Sequence, residues 1–188
     1  MHRPFPSLSA LAVALAGRPH PQPAGVSLEA AVMVNLLGNE LLLVRRQVLA
    51  GDKWSGHMGL PGGRHEPEDA TLLDTARRET REEVGFDPRD HGTVLGPLGT
   101  YVAAHRASGD THIAVYVTEL HSRPELVLSE EVAAAYWVDL DTLVAAHGTA
   151  AVRELGDPVP AYVPDVEGEQ LVVWGITYGI LERLRALA

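Results

Sequence analysis

Residues 62–86 constrain the fold more than any other stretch. They run Gly-Gly-Arg-His-Glu-Pro-Glu-Asp and close on Arg78-Glu79-Thr80-Arg81-Glu82-Glu83-Val84-Gly85-Phe86. A glycine-hinged loop therefore feeds one helix, expected over residues 71–84. Thr71 with Asp74 fits an N-terminal capping pattern, and Gly85 fits the position just past the C-terminus. Leu73, Ala76, Thr80 and Val84 form the stripe expected to face the core. Arg78 and Glu82, four apart, can pair. Glu79, Glu82 and Glu83 are spaced i, i+3, i+4 and share a sector of about 100°. Like charges so close repel, and a helix gains nothing from them alone. A divalent cation turns that cost into a binding site, because carboxylate oxygens suit Mg²⁺ and Mn²⁺.

The whole chain sets further bounds. Its 188 residues suffice for one domain with a real core. Residues 1–24 read as an N-terminal helix and a Pro-rich connector, and residues 25–188 as the domain itself. A formal charge of −10 argues against a nucleic-acid polymer as partner, since phosphate backbones need a basic surface. A small anionic substrate fits if metal ions bridge the repulsion. The chain has no cysteine, which excludes disulfides, thiol catalysis and Cys zinc sites. Leu8 to Ala16 can be read as a weak secretory core or as a short helix with Leu8, Leu11, Ala12 and Leu15 on one face. Pro4, Pro6 and the thin basic flank favour the helix. No apolar run reaches the roughly 18 residues of a membrane span, so no membrane partner is expected and the cytoplasm is favoured.

In order, Ala30 to Leu37 and Glu40 to Arg45 read as a β-hairpin turning at Gly38-Asn39. Gln47 to Ser55 is a polar loop, and Gly56 to Leu60 a short strand ended by Pro61-Gly62-Gly63. After the helix come strands near 94–103, 112–120 and 134–138, with Arg106 to Asp110 between the first two. Asp139 to His147 reads as a short helix. Gly156 to Gly168 holds three prolines and reads as an ordered loop. Glu169 to Leu187 reads as the closing helix, with Leu171, Trp174, Tyr178, Leu181 and Leu184 or Arg185 along its apolar side. Mixed strands with helices on both sides imply an α/β sandwich.

Arg78 to Phe86, preceded by Gly63, resembles the Nudix box, G-x5-E-x7-R-E-U-x-E-E-x-G-U. The second half fits, apart from Thr80 where an aliphatic residue is usual. The first half departs: Asp69 stands where the box has Glu, and eight residues, one more than usual, separate it from Arg78. The resemblance implies an α/β/α sandwich with a mixed β-sheet and a catalytic loop-helix-loop. It implies a hydrolase of a diphosphate linked to another group, working with Mg²⁺ or Mn²⁺. The expected metal ligands are Glu79, Glu82, Glu83 and the carbonyl of Gly62. Arg78 is expected to orient the glutamates, and Arg78, Glu82 and Glu131 make up the expected catalytic set. Glu130 or Glu131 precedes a strand where the family often places an extra ligand or base.

Other stretches resemble the coenzyme A pyrophosphatase branch. These are Leu42-Leu43-Val44-Arg45, Leu60-Pro61-Gly62-Gly63, Asp69 with its longer spacing, Glu131-Val132 leading into Tyr136-Trp137-Val138, and Trp174-Gly175-Ile176-Thr177. Two positions depart from that branch: Arg46 where it has Ser, and Trp54 where it has His. Expected substrate-binding residues are Arg45, Trp54 and His57, with His105 and His112 as further phosphate-contact or base candidates. Coenzyme A leads, followed by nucleoside triphosphates, ADP-ribose and dinucleotides. A non-catalytic Nudix-fold nucleotide-binding module is the alternative of another class. Many such folds pair as dimers, and nothing in the sequence marks an interface.

Overall fold

The chain opens with helix α1 (Leu8–Leu15), whose first turn is capped by the Ser7 hydroxyl accepting from the Ala10 N–H. Strands β1 (Glu29–Leu37) and β2 (Glu40–Arg46) form the expected hairpin, with Gly38 at φ 58° in its turn. They pair at the tip, Leu36 with Leu41 and Leu37 with Glu40. Beyond the tip they part. β3 (Met58–Gly59) joins β2, and β4 (Gly62–Arg64) runs antiparallel to β1. The Gly-Gly pair thus lies within a strand rather than ending one. This computed structural model describes residues 3–22, 29–48, 56–103, 110–152 and 155–188. Most of the expected 47–55 loop, the 24/25 boundary, Trp54 and His105 lie outside them.

Helix α2 (Leu72–Val84) follows, capped as expected. The Thr71 hydroxyl accepts from the Asp74 N–H at 3.1 Å and donates to the Asp74 carboxylate at 2.7 Å. Gly85 closes the helix in the left-handed conformation at φ 86°. Leu72, rather than Leu73, is the leucine fully turned inward; Thr75, Ala76, Thr80, Glu83 and Val84 complete the buried face. A short helix α3 (Pro88–His91) leads into the long strands β5 (Gly92–Ala103) and β6 (Thr111–Leu120). β6 runs parallel to β1 over Glu29–Leu36, and β7 (Val132–Asp139) runs antiparallel to β2. The result is a seven-stranded mixed sheet, with path β3-β2-β1-β6-β5 and β4 and β7 attached to β1 and β2.

Alternation along β1 builds the layers. Ala31 and Met33 pack with Leu72, Ala76, Ala114 and Tyr116 under α2. Val34 and Leu36 point the other way, into the main core with Leu11, Leu15, Val115 and Val117. Leu41 to Val44 are buried on both faces of β2, as a central strand requires. α1 lies on the main-core side against β5, where Leu11 and Leu15 are 1% and 0% exposed.

The C-terminal third differs from expectation. Helix α4 (Leu140–Ala145) stops early, and His147 instead begins β8 (His147–Ala150). The Pro-rich stretch carries β9 (Val159–Tyr162) and β10 (Asp165–Val166), and β11 (Glu169–Gln170) pairs back on β10 around Glu167 and Gly168, both at positive φ. β12 (Val173–Trp174) pairs with β9, and the closing helix α5 (Gly175–Arg185) starts six residues later than the periodicity implied. Leu171 and Val173 are both fully buried, the alternation of an extended segment, whereas Leu171 and Trp174 alone also fit a helical stripe. Gly175 at φ 61° makes the corner. No helix among the described residues is long and apolar enough to cross a membrane.

Candidate active site

The loop from β4 to α2 is held by Arg78. Its Nε and Nη2 donate to the two oxygens of Asp69, each at 3.0 Å, and Nη2 also donates to the Arg64 carbonyl at 2.8 Å. Nη1 donates to Glu79 at 3.0 Å and to Glu82 at 2.9 Å. One planar guanidinium thereby ties the loop to two of the three glutamates, a task its fork geometry suits. Asp69, shorter than the usual glutamate, still closes on Arg78 across the longer spacing.

Asp69 is nearly buried, at 5% side-chain exposure, and is itself braced. The Thr75 hydroxyl donates to it at 2.9 Å, and the Glu66 N–H at 3.1 Å. His65 Nδ1 contacts that hydroxyl at 2.9 Å. Burial opposes the Asp69 charge, but the bonds from Arg78, Glu66 and Thr75 outweigh it and hold the carboxyl below its ordinary range. The Asp69 hydrogen bond, opposed by burial and aided by Glu79 and Glu82, makes Arg78 hold its proton more firmly than a free arginine. Thr75 and His65 were not singled out from sequence. Thr75, buried and polar one turn into an apolar face, was the available signal.

Glu83 lies deepest, at 6% exposure. Its Oε2 accepts from the Gly62 N–H at 3.0 Å. Burial is the main force pushing it up to about 7; the Gly62 N–H and the Arg46 charge oppose this, and Glu79 and Glu131 add to it. Glu79 is raised too, first by burial, against the pull of Arg78 and with the push of Glu82 and Glu131. Glu131 is exposed, yet its charge bears on both Glu79 and Glu83. The strand-leading segment is pinned there, Ser129 N–H donating to the Glu83 carbonyl and Gln47 N–H to the Glu131 carbonyl.

Among the described residues no three acidic or histidine side chains already converge as a metal cage. Arg78 Nη1 draws Glu79 and Glu82 to itself, and Gly62 holds Glu83. The donor set nevertheless fits a hard divalent cation. It offers oxygen donors, and Glu79 and Glu83, raised first by burial and further by neighbouring carboxylates, carry a charge that a cation would stabilise. Glu82, 54% exposed, can swing without disturbing the core.

Glu83 makes the stability of the metal-free protein depend on pH. Its carboxyl binds its proton more tightly folded than unfolded, so the benefit is complete below pH about 4.5 and is lost as pH rises through about 7. Between pH 5 and 8, urea denaturation of the metal-free protein should show a loss of about 3 kcal/mol from this group. Saturating divalent cation should flatten the slope.

The two glycines make separate demands. At Gly62, φ is 155° and a Cβ would sit 2.4 Å from the Ala31 carbonyl oxygen, which is backbone. At Gly63 a Cβ would sit 2.4 Å from Glu79 Oε1, the end of a movable side chain. Gly62→Ala should therefore cost about 3 kcal/mol of stability by denaturation. Gly63→Ala should keep stability within about 1 kcal/mol and lower kcat about 10²-fold by displacing Glu79.

A cavity of about 310 Å³ opens beside these glycines. Gly62 and Gly63 line it together with Arg46, His57, Trp174 and Ile176. The His57 ring meets the Trp174 ring edge-on at 4.9 Å. Of the expected substrate residues, His57 lies in this cavity and Trp54 is outside the described residues. Arg45 does not line this cavity but an adjoining one of about 440 Å³, which shares His57 and Trp174 with it. Arg45 pairs with Glu169 at 2.6 Å and lies 5.2 Å over the Tyr136 ring. His112 lies at the start of β6 and does not itself line the cavity, although its neighbour Ile113 does.

The NUDIX domain description matches residues 27–156. Over 108 residues the chain is 38% identical to uncharacterized protein C14C4.10c of Schizosaccharomyces pombe, covering 55% of this chain and 33% of that one. This chain thus spans a third of the length of that relative. Over 161 residues it is 30% identical to the uncharacterized Nudix hydrolase NudL of Yersinia pestis (strain Pestoides F), covering 82% of this chain and 77% of the relative. Among solved structures, the Nudix hydrolase RenU from M. smegmatis superposes with a TM-score of 0.58 at 16% identity, over 92% of this chain and 94% of that one, a likeness of fold. With the domain match spanning most of the chain and the acidic helix folded against its glycine loop, the chain belongs to the Nudix family.

Proposed function

We propose that this protein hydrolyses the diphosphate bond of a nucleoside diphosphate linked to another moiety, with coenzyme A or a derivative as the leading substrate. One observation carries the reading. Two stretches that resemble the coenzyme A branch, Leu60 to Gly63 and Trp174 to Thr177, lie more than 100 residues apart yet line the same cavity beside the acidic helix. A diphosphate at the Gly62-Gly63 edge leaves its non-phosphate half facing the apolar wall of that cavity.

Glu79, Glu82, Glu83 and the Gly62 carbonyl are the proposed holders of Mg²⁺ or Mn²⁺. When bound, such an ion neutralises phosphate charge and acidifies water. Arg78 orients Glu79 and Glu82 while keeping the loop closed. Glu131 stands free of the helix and near Glu79 and Glu83, and it accepts the proton of the attacking water. His57 lines the substrate's path. Gly62 holds Glu83 in place through its N–H.

The experiment is turnover of a panel with Mg²⁺ or Mn²⁺: coenzyme A, nucleoside triphosphates, ADP-ribose and dinucleotides. Coenzyme A is expected to give the highest kcat/KM. A different preferred substrate would move the assignment within the family, and no turnover at high enzyme concentration would overturn it.

A further inference from the structure

Strand β2 ends in two adjacent arginines, which an extended chain sends to opposite faces. A register shift falls between them: Ala134 stands opposite Arg45, and Val132 opposite Arg46. Arg45 is engaged away from the glycine loop. Glu169 takes its Nη1 at 2.6 Å, and the Tyr136 hydroxyl donates to the other Glu169 oxygen at 2.5 Å.

Arg46 goes the other way. Its N–H donates to the His57 carbonyl at 3.1 Å, which fixes its backbone against the cavity wall. Its side chain is exposed and lines the cavity with Gly62 and Gly63. Among the described residues it is the only arginine or lysine that does so. Arg78, the other arginine at the site, already serves Asp69, Glu79, Glu82 and the Arg64 carbonyl.

We propose that Arg46 binds a phosphate oxygen of the substrate at the mouth of this cavity, and that it, rather than Arg45, is the phosphate-contacting arginine of β2. A diphosphate must approach Glu79, Glu82, Glu83 and Glu131 on a chain of net charge −10. A guanidinium at the entrance offers a bidentate, permanently charged donor that suits a phosphate. The coenzyme A branch that this chain resembles has Ser at this position, so the cation is a feature of this chain. The inference rests on the diphosphate-hydrolase reading.

The test uses the full chain with R46Q, R46K and R45Q. Two readouts are taken: steady-state hydrolysis of coenzyme A with Mg²⁺, and calorimetric binding of α,β-methylene-ADP with Mg²⁺. R46Q is expected to raise KM and the analogue's Kd by about 10- to 50-fold, with kcat changed only a few-fold. R46K should recover part of the loss, since it keeps charge but not the fork. The KM of wild type should rise with salt more steeply than that of R46Q. Unchanged KM and Kd in R46Q, or a rise confined to R45Q, would overturn the assignment. A drop in melting temperature with KM intact would also overturn it, as the mark of a purely structural role. Should wild type bind the analogue without turning over coenzyme A, the substrate reading fails while Kd still decides on Arg46. Absence of any binding by wild type would overturn both.

Discussion

Glu83→Gln should lower kcat on the order of 10²- to 10³-fold while leaving the fold intact. Of the three helix glutamates it is the deepest and the one fixed by a backbone N–H, so its charge is the least replaceable by a neighbour or by water. The same change should raise stability in the metal-free protein above pH 7, because a neutral amide of matching shape removes the buried charge. Gly62 can still donate to the amide oxygen. The variant should therefore lose the pH slope seen between pH 5 and 8 in wild type. Steady-state kinetics with Mg²⁺ and urea denaturation at two pH values measure both effects. Near wild-type kcat would remove Glu83 from the metal assignment. A less stable variant at pH 8 would contradict the cause given for its raised carboxyl.

Arg78→Gln should act on stability and rate together. It strips Asp69, at 5% exposure, of its cation and leaves Thr75 and the Glu66 N–H as partial compensation. Breaking a buried pair from one side costs about 3 kcal/mol. Glu79 and Glu82 lose the shared donor that sets their direction, so kcat should fall about 10²-fold and half-saturation by Mg²⁺ should rise. Arg78→Lys should fall between the two, since an ammonium supplies charge without the planar fork. Wild-type stability and kcat in Arg78→Gln would reduce the network to a surface ion pair.

What the sequence made legible was mostly local. The cap at Thr71, the stop at Gly85 and the one-sector carboxylates depend on residues within a turn or two of one another, and each stands as expected. The hairpin at Gly38-Asn39 was legible for the same reason. Contacts set by distant chain segments were not. The parallel pairing of β1 with β6 joins residues about 80 positions apart and leaves no periodic mark. Residues 169–174 satisfied a helical stripe and an alternating pattern at once, and pairing with β9 and β10 selected the strand. Which of Arg45 and Arg46 faces the glycine loop hung on how β2 is placed between β3 and β7, which composition does not encode. Thr75 and His65 acquire meaning only once Asp69 folds back on Arg78.

Helix α1 bears on where this protein may be cut. The recognised domain begins at residue 27, yet Leu11 and Leu15 sit in the same core as β1, β6 and α5. Gly96 in β5 leaves room for the Leu15 carbonyl, which a Cβ there would meet at 2.7 Å. Arg18 reaches the Leu98 carbonyl on the same strand. Trimming the chain to its recognisable domain would strip one edge of the sheet and wet two leucines of the interior. The stretch that identifies the family is shorter than the stretch that builds its core.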